Sequence, residues 1–341
     1  MPLTPIPGVT RLRRLQLGIE GTFKTQVPCT RRMPWTLAPT VQPNWTLPQA
    51  DTGTLSQAIA PFRKALDITG TATGELFSND LPYLLAMLVK GGVTPTGGGT
   101  AKTWAYSPAE TSQDVFDTFT AEWGDDAVAD AWAWVGGVAE SCTFTYPQDQ
   151  GPITISAALR LAAIGAYPDT YTPGLSVDLA PVPLFMADTS LYLNDSSGTI
   201  ETTKLSDVLY DATLTYTNNI DVKRFANGSN TRFEVQDYGR GERVIELTAN
   251  GAKQTAWIAE ALKWIAASPT ERFIGLRTQS TVAAQAGIPH SFDVRIPGYW
   301  MTRAESTVVT NTAFQLTAHQ VFDPGIGYAV SMASVNTLAA L

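Results

Sequence analysis

Cysteine and histidine are scarce in this chain of 341 residues. The two cysteines, Cys29 and Cys142, allow at most one intramolecular disulfide, and buried free thiols are the expected state. The two histidines, His290 and His319, stand in no ligand spacing of the zinc kind. We therefore expect no disulfide scaffold, no metal site and no cofactor.

Charged residues are also few, at 16% of the chain, and the formal net charge is −8. With 44% apolar residues, this is the composition of a globular protein, and the length suits two domains of roughly 100–200 residues. The low charge leaves two interpretations open: a surface covered by something other than water, or a neutral extracellular β protein. The negative sign argues against a protein that grips nucleic acid, since phosphate binding needs clustered lysines and arginines.

Long apolar runs and catalytic motifs are missing as well. No stretch approaches the ~18 apolar residues that span a bilayer, and residues 1–5 lack a charged-then-apolar secretion signal. We expect no membrane partner and a chain that stays in the cytoplasm where it is made. There is no Gly-x-Ser-x-Gly, and no Lys-Ser/Thr follows Gly97-Gly98-Gly99. We predict no catalytic residues and no enzyme.

What the chain does contain is a repeated order of segments. Ala139-Glu140-Ser141 and Ala304-Glu305-Ser306 each open an alternating apolar and polar run. Further matches pair Leu15-Gln16-Leu17 with Leu191-Tyr192-Leu193, and Leu66-Asp67-Ile68-Thr69 with Ile245-Glu246-Leu247-Thr248. We predict two copies of one β-rich domain, residues 1–170 and 171–341.

Each copy is predicted to hold many strands and one principal helix. Lys64–Thr73 alternates as a half-buried strand. A helix follows it, capped by Ser78 or Asn79, with Pro82 in the first turn. The second helix is predicted over Ala252–Ala267. Its apolar face is expected to hold Trp257, Ile258, Ala261, Leu262 and Ile265, with Lys253, Glu260 and Lys263 off that face. The predicted fold is mainly β: two tandem β-sandwich or barrel-like domains, each with one helix packed on its sheets.

An extended, proline-rich excursion fills much of the first 60 residues. It carries Trp35 and Trp45, and a segment of this kind is expected to be pinned against a surface, its own or a neighbour's. Arg13 and Arg14 belong to a short basic cluster that is either solvated or part of an interface. These four residues are the candidate contact sites of the sequence.

Four segments together resemble a known family. Leu17-Gly18-Ile19-Glu20-Gly21-Thr22-Phe23, the proline-rich excursion, the strand-then-helix step from Gly70 to Leu85, and Gly137-Val138-Ala139-Glu140-Ser141 are similar to parts of phage proteins. The chain resembles the tail tube (major tail) proteins of long, non-contractile bacteriophage tails, in the class with a duplicated tube domain. In the opening segment the second glycine is displaced from the family's pattern.

The resemblance implies a structural virion protein that assembles into stacked rings, forming the tail tube through which the genome reaches the bacterial host. Edge strands of neighbours would pair around a lumen, which removes exposed sheet edges. Two domains per chain imply three chains in a pseudo-sixfold ring, with a six-chain ring carrying the second copy outside as the competing geometry. Arg13, Arg14, Trp35 and Trp45 would then be inter-ring or inter-subunit contacts.

The same resemblance implies partners and a location. The partners would be further copies of the chain, a tape-measure protein, a tail terminator and a baseplate or initiator protein, while DNA would pass without specific binding. The protein would reside in the virion tail after assembly in the cytoplasm of the bacterial host.

Two other function classes remain open from the sequence. A virion or cell-surface β-sandwich adhesin could bind saccharide on a platform of Trp104, Trp123, Trp132 and Trp134. An uncharacterised hydrolase ranks last, because histidines are sparse.

Overall fold

The fold is described by a computed structural model that covers residues 13–47, 61–112, 114–125, 130–195, 201–226, 233–268, 270–305 and 313–341. Strands dominate the described residues, together with two α-helices, α1 (Leu81–Leu88) and α2 (Thr255–Trp264). The predicted mainly β fold is confirmed.

The strands run in chain order through both halves of the molecule. The first half contains β1 (Arg14–Ile19), β2 (Arg31–Met33), β3 (Thr36–Gln42), β4 (Trp45–Thr46), β5 (Phe62–Arg63), β6 (Asp67–Glu75), β7 (Lys102–Tyr106), β8 (Phe119–Asp125), β9 (Asp130–Tyr146), β10 (Thr154–Leu161) and β11 (Ala163–Asp169). The second half contains β12 (Thr189–Asn194), β13 (Lys204–Leu205), β14 (Leu209–Thr217), β15 (Ile220–Lys223), β16 (Asp237–Arg240), β17 (Val244–Ala252), β18 (Arg272–Gln285), β19 (Ile288–Glu305), β20 (Ala313–Gln320) and β21 (Ser331–Asn336).

In the first half, two sheets share the long strand β9. Its early residues pair with β8 and β11, in the order β2-β1-β8-β9-β11. Its late residues pair with β10, in the order β3-β6-β10-β9. Gly136 lies where β9 passes from one sheet to the other, with φ of 65°. Glycine adopts this left-handed conformation without the steric cost that a Cβ would bring.

The second half repeats this order of pairings around β19. One sheet runs β13-β12-β18-β19-β21, and the other runs β14-β17-β20-β19. A bulge leaves Glu140 of β9 unpaired with β10, and a bulge at Met301 of β19 has the same place opposite β20. Each helix follows the corresponding strand, α1 after β6 and α2 after β17.

The register of the repeat differs from the match predicted by sequence. Gly137 pairs with Phe119 in β8, and Gly298 pairs with Arg272 in β18. Together with the bulges, this makes Trp300 the counterpart of Ala139, so the predicted pairing of Ala139 with Ala304 is wrong. Short matches of common residues slip easily along an alternating strand, because every second residue has the same environment. The division into copies at residue 170 stays a prediction.

The two halves are joined by strand pairing. β14 of the second half pairs with the end of β9, and β7 of the first half pairs with β21. One sheet therefore runs through both halves in the order β3-β6-β10-β9-β14-β17-β20-β19, called here the long sheet. A single cluster of buried apolar residues also extends through both halves.

The two helices differ in burial. All eight residues of α1 are buried, and Pro82 lies in its first turn as predicted. Asp80 is its N-cap residue, in place of the predicted Ser78 or Asn79, and its carboxylate pairs with Arg31 at 2.7 Å. In α2, which is shorter than predicted, only Trp257, Glu260 and Ala261 are buried. The prediction that Glu260 lies off the buried face is wrong, because the carboxylate pairs with Arg272 beneath the helix.

Candidate lumen-facing and assembly site

One face of the long sheet packs on the core, and the opposite face, called here the hydroxyl face, is rich in threonine. Alternation along the strands places buried apolar residues on one side and threonines on the other. The hydroxyl face includes Thr36, Thr40, Thr69, Thr71, Thr73, Thr143, Thr145, Thr154, Thr213, Thr215, Thr217, Thr248, Thr302 and Thr317. Some meet across strands: Thr143 Oγ1 is 3.5 Å from Thr215 Oγ1, and Thr248 Oγ1 is 3.2 Å from Thr317 Oγ1.

The charges on the hydroxyl face are mainly negative. Its described carboxylates are Asp67, Glu75, Glu140, Asp211 and Glu246. Glu140 pairs with Arg160 at 3.0 Å, Asp67 pairs with Arg224, and Glu246 lies 3.1 Å from His319. Burial raises the pKa of Asp211, while a hydrogen bond from Asn250 opposes the increase. The face therefore offers hydroxyls and carboxylates but no basic cluster among its described residues.

Both ends of the long sheet are open edges. Within the described parts of the chain, β3 pairs only with β6, and residues 299–305 of β19 pair only with β20. Open edges present unpaired N–H and C=O groups, which invite pairing with another strand. The counterparts of these edges, β14 and the end of β9, pair with each other inside the chain.

The four predicted contact residues do not lie together. Trp35 is buried in the core, and its indole N–H donates to the carbonyl of Glu75 at 3.3 Å. Trp45, in β4, is 61% exposed. The guanidinium groups of Arg13 and Arg14 lie over the rings of Trp123 and Tyr171, 5.0 and 5.1 Å from their centroids. Of the two tryptophans, only Trp45 is exposed on the surface of the chain.

Sequence reasoning missed most of the exposed apolar surface. Ile258 and Leu262 on α2 are exposed, as are Ile265 just after its C-terminal end and Phe62 in β5. The available signal was that apolar residues in α2 cover more of the circumference than one buried stripe needs. The two open edges carried no signal, since edge and central strands share the same alternation.

The four tryptophans of the saccharide-binding alternative do not form an exposed platform. Trp104 and Trp134 are buried, each 1% exposed. Trp123 and Trp132 are partly buried, pack against the core cluster and lie 5.9 and 6.2 Å from the ring of Trp134. These rings therefore contribute to the core of the first half.

Groups with catalytic potential lie buried and apart. Cys29 and Cys142 are free, and burial raises the pKa of both thiols. Burial lowers the pKa of His290, whose Nδ1 is 2.8 Å from the hydroxyl of Ser78. Within the described ranges, no three His, Cys, Asp or Glu side chains are grouped so as to hold a metal ion. No helix of those ranges has both the length and the apolar character needed to cross a membrane.

Comparison with known families agrees with this architecture. The profile of the phage tail tube protein family matches residues 10–316. This match spans most of the chain, and the chain belongs to the phage tail tube protein family. It is thus a structural protein of the bacteriophage virion, and a component of the tail. No curated protein sequence matches the chain significantly.

Proposed function

We propose that the chain polymerises into stacked rings of three molecules, and that these rings form the conduit through which the phage genome passes into the host. The observation that carries the proposal is the junction of β14 with β9 inside the chain. Their counterparts, β3 and residues 299–305 of β19, are the open edges of the long sheet. Each molecule therefore carries two free strand edges that correspond to the two strands of its internal junction.

The register of the junction between chains follows from the repeated pairings. Two corresponding rows of paired residues cross the sheet: Thr40–Thr69–Arg160–Val138 and Thr215–Glu246–His319–Tyr299. Thr40 thus has the position of Thr215, and by the same matching Ala304 has the position of Thr143. Because Thr215 pairs with Thr143 inside the chain, Thr40 of one chain is expected opposite Ala304 of the next.

This arrangement favours three chains per ring over six. The second half continues the long sheet beside the first half and does not lie behind it. Both halves therefore take part in the wall, and a pseudo-sixfold ring needs three chains. A six-chain ring with the second copy outside would leave the strands of the second half out of that wall.

The hydroxyl face is expected to line the lumen. Proteins hold DNA mainly through lysine and arginine contacts with phosphates. Two arginines reach the described face, Arg160 and Arg224, and they are already paired with Glu140 and Asp67, so the remaining carboxylates are in excess. An acidic, hydrated wall repels phosphates and lets DNA slide. The chain's net charge of −8 has the same sign.

Further partners are proposed from the family. A tape-measure protein inside the growing tube, a terminator at its end and a baseplate or initiator protein at its start would set its length. Assembly would take place in the cytoplasm of the bacterial host.

The first test is negative-stain electron microscopy of the concentrated, purified protein. We expect hollow tubes or stacked rings, with threefold symmetry in end-on averages. True sixfold averages would contradict the three-chain ring, and the absence of any ring or tube, even after addition of an initiator complex, would contradict self-assembly.

A second test reads the register. Thr40→Cys combined with Ala304→Cys should form disulfides between neighbours, because directly opposed Cβ atoms lie about 5 Å apart. Exhaustive oxidation should end at a covalent trimer, whereas a hexamer would indicate six chains. The matched control is Thr40→Cys with Thr302→Cys, a diagonal pair about 7–8 Å apart that is too distant to link. Cys29 and Cys142 are buried and should not interfere.

A further inference from the structure

The outer side of α2 is an exposed apolar surface. Ile258, Leu262, Trp264 and Ile265 are 37–63% exposed, and Met301 of β19 beside them is 55% exposed. The indole N–H of Trp264 donates to the carbonyl of Met301 at 2.9 Å, which fixes the helix end against the open edge of the long sheet. A contiguous apolar surface of this kind marks a contact with another molecule.

The corresponding surface of α1 is covered from within the chain. β7 and residues 115–117 pack on the helix, where the N–H of Asp117 donates to the carbonyl of Ala86 at 3.3 Å. The turn after β14 and the hairpin of β15 and β16 hold its C-terminal end. Asn218 Nδ2 donates to the carbonyl of Leu88 at 2.6 Å, and Arg240 Nη2 donates to the carbonyl of Val89 at 3.0 Å. The C-terminal end of α1 is thereby held by residues of the second half.

The hairpin of β4 and β5 is the counterpart of this covering hairpin. Asn44 and Asn219 begin the two hairpins with φ of 47° and 48°. The carbonyl of Asn44 accepts from the N–H of Lys64 at 3.1 Å, as the carbonyl of Asn219 accepts from Gly241 at 3.1 Å. Since Trp45 pairs with Arg63 and Ile220 pairs with Arg240, Arg63 has the position of Arg240.

The β4–β5 hairpin exposes apolar side chains. Trp45, Leu47 and Phe62 are at least half exposed. We call residues 43–47 and 61–63 the apolar arm. The arm follows directly after β3, which is one of the two open edges.

We propose that the apolar arm of one chain lies on the exposed side of α2 in the next chain of the ring and meets its C-terminal end, as the β15–β16 hairpin meets the C-terminal end of α1. This inference rests on the proposed junction between β3 and β19. When β3 pairs with residues 299–305 of a neighbour, the arm emerges beside the neighbour's α2, because α2 packs on β19. The occupant is therefore a second copy of the same chain.

The contact at α1 lies within one chain and the proposed contact at α2 lies between chains, and the two differ in chemistry. Inside the chain, the N–H of Asn218 donates to the carbonyl of Glu140 at 2.9 Å. Its counterpart in the arm is Pro43, which has no N–H to donate. The counterpart of Glu140 is Met301, whose carbonyl already accepts from Trp264. The polar contact of Asn218 within the chain is thus replaced by an apolar contact between chains. Arg63, at the position of Arg240, would donate to the carbonyl at the end of the neighbour's α2.

Substitutions at the two surfaces test the contact. Trp45→Ser and Leu262→Ser should each raise the critical concentration for polymerisation about tenfold or more, since a buried interface tryptophan or apolar anchor dominates binding. The melting temperature of the monomer should not change, because both side chains are exposed within it. The matched control is Leu179→Ser, a 91% exposed leucine outside both surfaces, which should leave polymerisation unchanged.

A cross-link distinguishes this contact from the ring itself. Arg63→Cys combined with Ile265→Cys should be joined between neighbouring chains by a short bis-maleimide, whereas Arg63→Cys with Leu179→Cys should not. Rings that link through Thr40→Cys and Ala304→Cys but not through this pair would overturn the contact and leave the ring intact. Rings of Leu262→Ser that close normally but fail to stack would place α2 between rings, and would also overturn it. If the unsubstituted chain forms no rings, both proposals are wrong.

Discussion

The two helices occupy the same place in the two halves of the molecule and have opposite surroundings. α1 is buried on every side, whereas α2 is buried only where Trp257, Glu260 and Ala261 face the sheet. α1 is covered by β7 and residues 115–117, and its C-terminal end is held by the turn after β14 and the β15–β16 hairpin. α2 is followed directly by β18 and has no such cover among the described residues. The comparison shows that the segments packed around a helix decide how much of it is buried, and that the composition of the helix matches those surroundings.

The residues beneath the helices follow the same division. α1 carries no charged side chain, and its apolar residues belong to the core cluster. α2 carries Glu260, whose carboxylate takes two hydrogen bonds from Arg272, at 2.7 and 2.8 Å, and one from the indole of Trp300 at 3.1 Å. Partial solvation lowers the desolvation cost of an ion pair, whereas it weakens an apolar contact. An ion pair therefore suits a helix at an open surface.

The largest difference between the helices is expected from leucine truncation. Leu85→Ala in α1 should lower the free energy of unfolding by about 2–5 kcal/mol, because it leaves a cavity in a closed core. Leu262→Ala in α2 should change it by less than about 0.5 kcal/mol in the monomer. Urea titration of dilute protein measures both. Similar losses for the two variants would break the comparison.

The ion pair beneath α2 should give the next effect. Arg272→Met is expected to cost about 3 kcal/mol, since it leaves the buried carboxylate of Glu260 with only Lys263 and Trp300 as partners. The control is Arg303→Met, which removes a more exposed pair with Glu305 and should cost at most about 1 kcal/mol. Equal urea midpoints for the two variants would show that the buried pair contributes no more to the free energy of unfolding than the exposed pair does.

A smaller effect is expected at the turn that covers α1. Asn218→Ala removes donors to the carbonyls of Leu88 and Ala139 and should cost about 1–3 kcal/mol. Pro43→Ala, at the corresponding position of the apolar arm, should change monomer stability by less than about 0.5 kcal/mol. Hydrogen exchange of the amides near the end of α1 should rise in the first variant only. Unchanged exchange there would mean that the turn does not hold the helix.

The smallest effect is a pH dependence at the contact between Ser78 and His290. Burial lowers the pKa of His290 below 6.5 in the folded state, so the unfolded chain takes up the proton first. Stability is therefore full above about pH 6.5 and falls as the pH drops toward the folded pKa. His290→Gln should flatten this part of the pH profile, as measured by urea titration at a series of pH values. A profile that His290→Gln leaves unaltered would exclude this residue as the cause.

Local patterns predicted much of the architecture. The alternation of Ile68, Gly70 and Ala72 predicted β6, and the leucines after Pro82 predicted α1. These predictions succeeded because the spacing of apolar residues along a short segment differs between strands and helices. The burial of Trp35 and Trp45 could not be predicted from local patterns. Both are tryptophans in one proline-rich segment, yet one is buried and the other is exposed.

The sequence by itself determined the mainly β class and the helices α1 and α2, because these depend on composition and on short-range periodicity. Only the tertiary structure decided that β9 pairs with β14, that β3 and β19 remain open, and that α2 exposes Leu262. Those outcomes depend on which strands lie side by side across large sequence separations. An edge strand and a central strand carry the same alternation, and their difference exists only once the neighbours are in place.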